Sequence, residues 1–327
     1  MLDLAFSTED LAHTRFAFSP AWEIVASVRV LNQPGEHALH LPWVKRATAA
    51  LGEAGLDIAL LRELVPLRHL PGFLAGTPST PLPELADELA DLRDVPARVV
   101  RREVDAMAVP RSPALNRFHR DPEAGLERLA TLMEAYWDLV LAPDWPRIRA
   151  LLEADVLHRS RLLARGGAAE LFNDLTPMVR WRGGTLSVAH RHLHAAVPLD
   201  GRGLVLVPSA FVWPRVFSKT DPRWQPVLRY PPRGIATLWE TGTAAAPGAL
   251  AAVVGRGRAM LLAELAAPAS TSELARRTRL SAGAVSQHLG VLKAAGLVSG
   301  HRAGRHVLYA RTRAAEVLVG GVPEVDC

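Results

Sequence analysis

Between Ser270 and Arg311 the chain reads STSELARRTRLSAGAVSQHLGVLKAAGLVSGHRAGRHVLYAR, and the spacing of its caps, apolar residues and glycines admits few folds. Ser270-x-x-Glu273 has the form of a capping box and starts a helix over ELARRT. Leu280-Ser281 makes a short turn, after which Ser281 can cap a second helix from Ala282 to Ala295. On that helix Val285, Leu289 and Leu292 fall at i, i+4 and i+7, a single buried stripe. At about 100° per residue, Gly283, Gln287, Gly290 and Ala294 lie opposite, flanked by Ser286 and Lys293. Two β-type runs then flank Ala303-Gly304, a hairpin with His301, Arg302, Arg305 and His306 at its tip. Upstream, ALAAVVGRGRAMLLAELAAP supplies one helix and then another. Helix, helix, capped helix, turn, small-faced helix and basic hairpin, in that order, specify a winged helix-turn-helix over 249–327.

The face opposite the stripe is what a reading head needs. Small residues permit close approach to a wide groove, Ser286 and Gln287 can exchange hydrogen bonds with base edges, and Lys293 can reach phosphate. Charge agrees. After Ala245 ten basic residues stand against five acidic ones, which accounts for the whole formal charge of +5 and leaves 28 of each sign before it. Such confinement suits a nucleic-acid-binding domain joined to a neutral partner domain. Arginine abundance alone says less, because 35 arginines accompany only three lysines, a bias of genomic base composition.

A chain of 327 residues has room for that partner domain and a core of its own. Residues 1–240 are expected to form it, followed by a linker over 241–248, TGTAAAPG. To about residue 175 the pattern is helical. Ser19-Pro20 opens AWEIVASVRVL as an N-cap followed by proline, LPELADELADL and GLERLATLMEAYWDLVL have three-and-four spacing, and WPRIRALLEADVLHRSRLLARGG ends at a glycine pair. Over 178–230 the texture becomes β-rich. MVRWRG, TLSVAHRHLH and GLVLVPS are divided by Gly183-Gly184 and Asp200-Gly201, and FVWPRVF and PVLRYPP carry prolines suited to strand edges. The expected class is α+β: a mainly helical N-terminal domain with a small antiparallel sheet, then the winged helix. There is no run of about 18 apolar residues to span a membrane. The start MLDLAFSTED lacks a signal-peptide layout, and Cys327 is the only cysteine, so a cytoplasmic protein is expected.

The segment from about Leu250 to Arg313, above all VSQHL, VLKAAGLV and GRHVLYA, resembles the winged-helix domain of the ArsR/SmtB (arsenical-resistance-repressor) family of bacterial transcription regulators. LLARGGAAELFNDL and GLVLVPSAFVWPRV look like the partner domain of long actinobacterial members, a domain without an assigned function. The resemblance implies that residues 281–295 enter the major groove of double-stranded DNA and that the wing, 297–311, contacts backbone or minor groove. Ser281, Gly283, Ser286, Gln287, Lys293, Arg302 and Arg305 are then the DNA-binding residues. It further implies a homodimeric repressor. Three departures stand out. Arg279 occupies the turn position usual for glycine, the cysteine-containing metal motif is absent from ASTSELA, and little chain follows the wing. The dimer contact and the response to a non-metal effector are therefore expected in the N-terminal domain.

Other constellations carry less. His190, His192 and His194 alternate in AHRHLH and on one strand face could hold zinc, but no carboxylate or further histidine completes a site, so no metal is expected. His288, at i+3 from Val285, reads as a packing group. Trp181, Phe211, Trp213 and Trp239 fall around the β-rich part, where an aromatic pocket for an apolar small-molecule effector can form. Ser209 lacks the flanking glycines of a nucleophile elbow, and Gly201-Arg-Gly203 and Gly255-Arg-Gly257 complete no cofactor fingerprint. No cofactor and no enzymatic activity are expected. The alternative is a catalytic N-terminal domain that the winged helix localises to DNA.

Overall fold

The chain opens with strand β1 (Leu2–Ala5), helix α1 (Thr8–Ala12) and strand β2 (Arg15–Phe16), followed by α2 (Pro20–Asn32). The computed structural model describes residues 1–66, 70–107, 110–190, 194–222, 224–239, 247–265, 269–303 and 306–319. It divides into two units, Met1–Trp239 and Glu240–Cys327. In α2, Ser19 caps as its sequence suggests, its hydroxyl accepting from the Trp22 amide with Pro20 at the first helical position. Ten of the thirteen residues of α2 are buried, so it is a core helix apolar on nearly every side. Around its core lie α3 (Leu41–Ala54), α4 (Ala59–Leu64), α5 (Leu85–Arg93), α6 (Ala97–Asp105), α7 (Pro113–Arg120) and α8 (Pro122–Tyr136). A long helix, α9 (Trp145–Asn173), follows. The glycine pair does break it, since Gly166 and Gly167 leave helical geometry, but six further helical residues, 168–173, continue beyond them.

The β-rich part holds β3 (Val179–Arg182), β4 (Thr185–Val188), β5 (Ala195–Pro198), β6 (Val205–Pro208), β7 (Phe217–Lys219) and β8 (Val227–Tyr230). Gly183 and Gly184, at φ +56° and +79°, form the two-residue turn of the β3–β4 hairpin, a conformation that needs two left-handed residues. The α+β class holds, but the single antiparallel sheet is corrected to two mixed four-stranded sheets. One has the order β3-β4-β1-β5, with β1 antiparallel to β4 and parallel to β5. The other has the order β2-β6-β8-β7, with β2, β6 and β8 parallel and β7 antiparallel to β8. The first sixteen residues thus supply a strand to each sheet, where a purely helical beginning was expected. Two further expectations fail locally. FVWPRVF is a turn through Arg215 before β7 begins, and TLSVAHRHLH leaves its strand after Val188.

A buried polar clamp joins helix to sheet. The Glu23 carboxylate on α2 accepts from the backbone amides of Ala210 (3.0 Å) and Phe211 (3.3 Å), just after β6. Its neighbour Trp22 donates its indole N–H to the hydroxyl of Ser209 at 3.0 Å. Over the face of that indole lies the guanidinium of Arg229 from β8, 4.2 Å from the ring centre. Glu88 from α5 seals the start of α2, accepting from the Ser19 hydroxyl (2.6 Å) and the Ala21 amide (2.8 Å). Burial pushes the carboxyls of both Glu23 and Glu88 up to about 7, although these hydrogen bonds and Arg229 pull the other way.

The C-terminal unit comprises α10 (Pro247–Val254), α11 (Arg256–Glu264), β9 (Ala269–Ser270), α12 (Thr271–Thr278), α13 (Ala282–Ala294), β10 (Val298–Ala303), β11 (His306–Arg311) and α14 (Arg313–Val319). It has a core of its own, built on Leu261, Leu262, Leu274, Val285, Leu289 and Leu292. Of the expected linker, Pro247 and Gly248 belong to α10, while 241–246 lie outside the described residues.

A carboxyl with a folded-state pKa above its unfolded one binds a proton more readily when folded, so its stabilising contribution is complete at acid pH and lost as pH rises. With Glu23 and Glu88 raised from 4.5 to about 7, the melting temperature of the N-terminal unit should fall between pH 5 and pH 8. Glu88→Gln, which keeps an acceptor for the Ala21 amide, should flatten that dependence. Thermal denaturation at several pH values checks both.

Candidate nucleic-acid interface

The C-terminal unit is assembled by local signals that the sequence displays. Ser270 caps α12, its hydroxyl accepting from the Glu273 amide at 3.3 Å. Ser281 caps α13 in the same way through the Ala284 amide at 3.2 Å. Between them the turn is closed by Arg279 itself, which takes the left-handed conformation at φ +57° where a glycine is usual. Val285 and Leu289 are fully buried and Leu292 nearly so, fixing which side of α13 faces inward. His288 is a packing group: its ring lies against Gly257 of α11, where an added Cβ would stand 2.8 Å from Nε2.

The opposite side of α13 is open. Ser281, Gly283, Ser286, Gln287, Gly290, Lys293 and Ala294 are all exposed. No carboxylate occurs in the chain between Glu273 and Glu316, and Glu273 is already paired with Arg277. The face thus offers one ammonium, one amide and two hydroxyls on a small-residue surface that carries no carboxylate of its own to repel phosphate. β10 and β11 pair antiparallel from Val298–Arg311 to Ala303–His306, and β11 also pairs with β9, so the wing is one edge of a three-stranded sheet. Arg302 lies on β10 but its side chain is outside the described residues, as is Arg305 altogether.

The aromatic candidates of the N-terminal unit do not form one group. Phe211 and Trp239 lie 5.9 Å apart between Trp43 and His40, and the Trp239 indole donates to His40 Nδ1 at 2.8 Å. Trp213 stands edge-on to His40 at 6.5 Å. Burial drives the His40 pKa down to about 3, so this ring is neutral. Trp181 belongs to the other core, against Phe6 (5.1 Å) and Phe172 (4.9 Å). Beside Trp213 a groove of about 420 Å³ runs between Met178, Pro214, Pro232, Arg233 and Ile235, the size of a small-molecule site.

Of the three alternating histidines, the two described ones lie off the strands. His190 meets the Ser218 hydroxyl at 2.5 Å, beyond the end of β4, and His194 meets the amino terminus at 3.2 Å, before β5, while His192 is outside the described residues. Ser209 is fully buried beneath Trp22. No described helix is long and apolar enough to cross a membrane.

Two family models match the chain. A family of unknown function, DUF5937, matches residues 96–235, and a helix-turn-helix domain matches residues 258–301. No curated protein and no solved structure matches it. The second match runs from α11 to the first strand of the wing and supports an ArsR-like helix-turn-helix regulator that binds DNA.

The two faces of α13 make opposite demands on substitution. Leu289→Ala should cost about 2–5 kcal/mol through the cavity it leaves. Gln287→Ala, on the open face, should stay within about 0.5 kcal/mol. Urea denaturation followed by circular dichroism distinguishes them.

Proposed function

We propose that this protein is a cytoplasmic transcriptional repressor, not an enzyme, that holds a pseudo-palindromic operator as a homodimer and lets go when its N-terminal unit binds a non-metal small molecule. The observation that carries the DNA-binding part is the outer face of α13, exposed from Ser281 to Ala294 and free of carboxylates, on a helix whose other face is locked into a core. Ser286 and Gln287 read base edges in the major groove, Lys293 meets phosphate, and Arg302 and Arg305 of the wing add sequence-independent contacts. Two half-sites give a small reading head its specificity, which is the reason for the dimer. The small molecule acts by binding the DNA-competent and incompetent arrangements unequally, and the groove beside Trp213 is where it fits.

Quantitative binding to operator and to unrelated duplex tests the assignment. Gln287→Ala should lose about 1–3 kcal/mol on the operator and little on other sequences. Lys293→Ala should weaken binding to both alike and reduce the salt dependence by about one phosphate contact. If both variants behave identically, the roles given to α13 are wrong.

A further inference from the structure

The N-terminal unit is neutral in sum but not in distribution. Between Arg98 and Arg120 the chain carries six arginines and only two carboxylates. Both carboxylates are occupied, Glu103 by the Phe73 amide at 2.8 Å and Asp105 by Arg111 and His119. Helix α6 buries Val100 and Val104 and exposes Arg98, Arg101 and Arg102, while α7 buries Leu115 and Phe118 and exposes Arg117 and Arg120. Arg101 joins the two helices, donating from Nε to the His119 carbonyl (3.2 Å) and from Nη2 to the Arg120 carbonyl (3.3 Å). Arg98 is three and four residues from Arg101 and Arg102, and Arg117 is three from Arg120, so five guanidinium groups flank one junction.

Among the described residues Arg98, Arg117 and Arg120 form no ion pair, and Arg102 has only Glu103, next to it in the chain, at 3.6 Å. The C-terminal carbonyls of α7 account for Arg101 and favour Arg120. They leave Arg98 and Arg117 without an ion pair among the described residues, and Arg102 with only its chain neighbour Glu103 to offset the repulsion of like charges.

We propose that this surface of α6 and α7 is a second DNA contact, holding phosphates of the same duplex that α13 reads, outside the span of the winged helix. It rests on the DNA-binding reading above. Guanidinium forks match phosphate oxygens, whereas a protein interface or a bilayer would need apolar anchors. Among the described residues, no exposed large hydrophobic side chain lies between Leu82 and Leu157. Two contact patches in one chain also raise the effective concentration of each at the duplex.

The experiment measures binding of the full chain to operator DNA as a function of salt, for wild type and for Arg98→Ala/Arg102→Ala/Arg117→Ala/Arg120→Ala. Arg101 is kept because it ties α6 to α7. The variant should bind at least tenfold more weakly at low salt, with a log–log salt slope shallower by about 0.9 for each phosphate lost. Its base preference should be unchanged, its protected footprint shorter, and its melting temperature equal or higher. Arg98→Ala/Arg117→Ala, one change per helix, should produce about half the change in slope and guards against misfolding of the fuller variant. A folded quadruple variant with the wild-type slope and footprint overturns the proposal. If Lys293→Ala lowers affinity while the quadruple variant does not, the winged-helix reading stands and this one falls. A wild-type chain that binds no duplex overturns both.

Discussion

A carboxylate taken out of water must find donors or keep its proton, and Glu23 finds its donors on the backbone of Ala210 and Phe211. That requirement fixes α2 against the end of β6, and much of the N-terminal unit follows from it. Trp22 is brought to Ser209 and beneath Arg229, the start of α2 is brought to Glu88, and Phe211 is delivered into the cluster of His40, Trp43 and Trp239. The helical core and the sheets are therefore not two layers pressed together by apolar area alone. They are registered by a polar contact whose geometry tolerates little sliding.

The legible parts of the fold were those encoded within a few residues. Ser19, Ser270 and Ser281 each cap the helix that follows, because a cap is satisfied by an amide three residues on. The stripe of Val285, Leu289 and Leu292 gave the inner face of α13, and with it the candidate reading face, since 3.6 residues per turn leaves no freedom in what lies opposite. Pairings between distant segments were hidden. β1 is four residues long and its partners begin at Thr185 and Ala195, so neither its own period nor its neighbours announce it. Parallel pairing of β2, β6 and β8 leaves no local mark either. The histidine alternation was a strand pattern, yet its described ends, His190 and His194, lie outside β4 and β5, and Trp181 shares a region of sequence with Phe211 but not a core.

Charge shows the same contrast between sum and placement. Counted by domain, all net positive charge sits after Ala245, and the remainder looks inert. Counted by surface, α6 and α7 segregate arginine from carboxylate, and only the fold tells that the two available carboxylates are already engaged. An arginine-rich composition makes the total uninformative, so position and partner carry the meaning.

The aromatic cluster at the end of the first unit has an optical consequence. All eight tryptophans precede Glu240, and Trp239, the last described residue of that unit, stacks at 6.3 Å on Trp43 beside a neutral histidine. The winged helix contains no indole, and Tyr309 is its one tyrosine. Indole emission is therefore a private signal of the first unit. Any change in it when α13 meets a duplex must come from that unit itself, whether by touching the same DNA or by feeling, through the connecting segment, what the other unit has done.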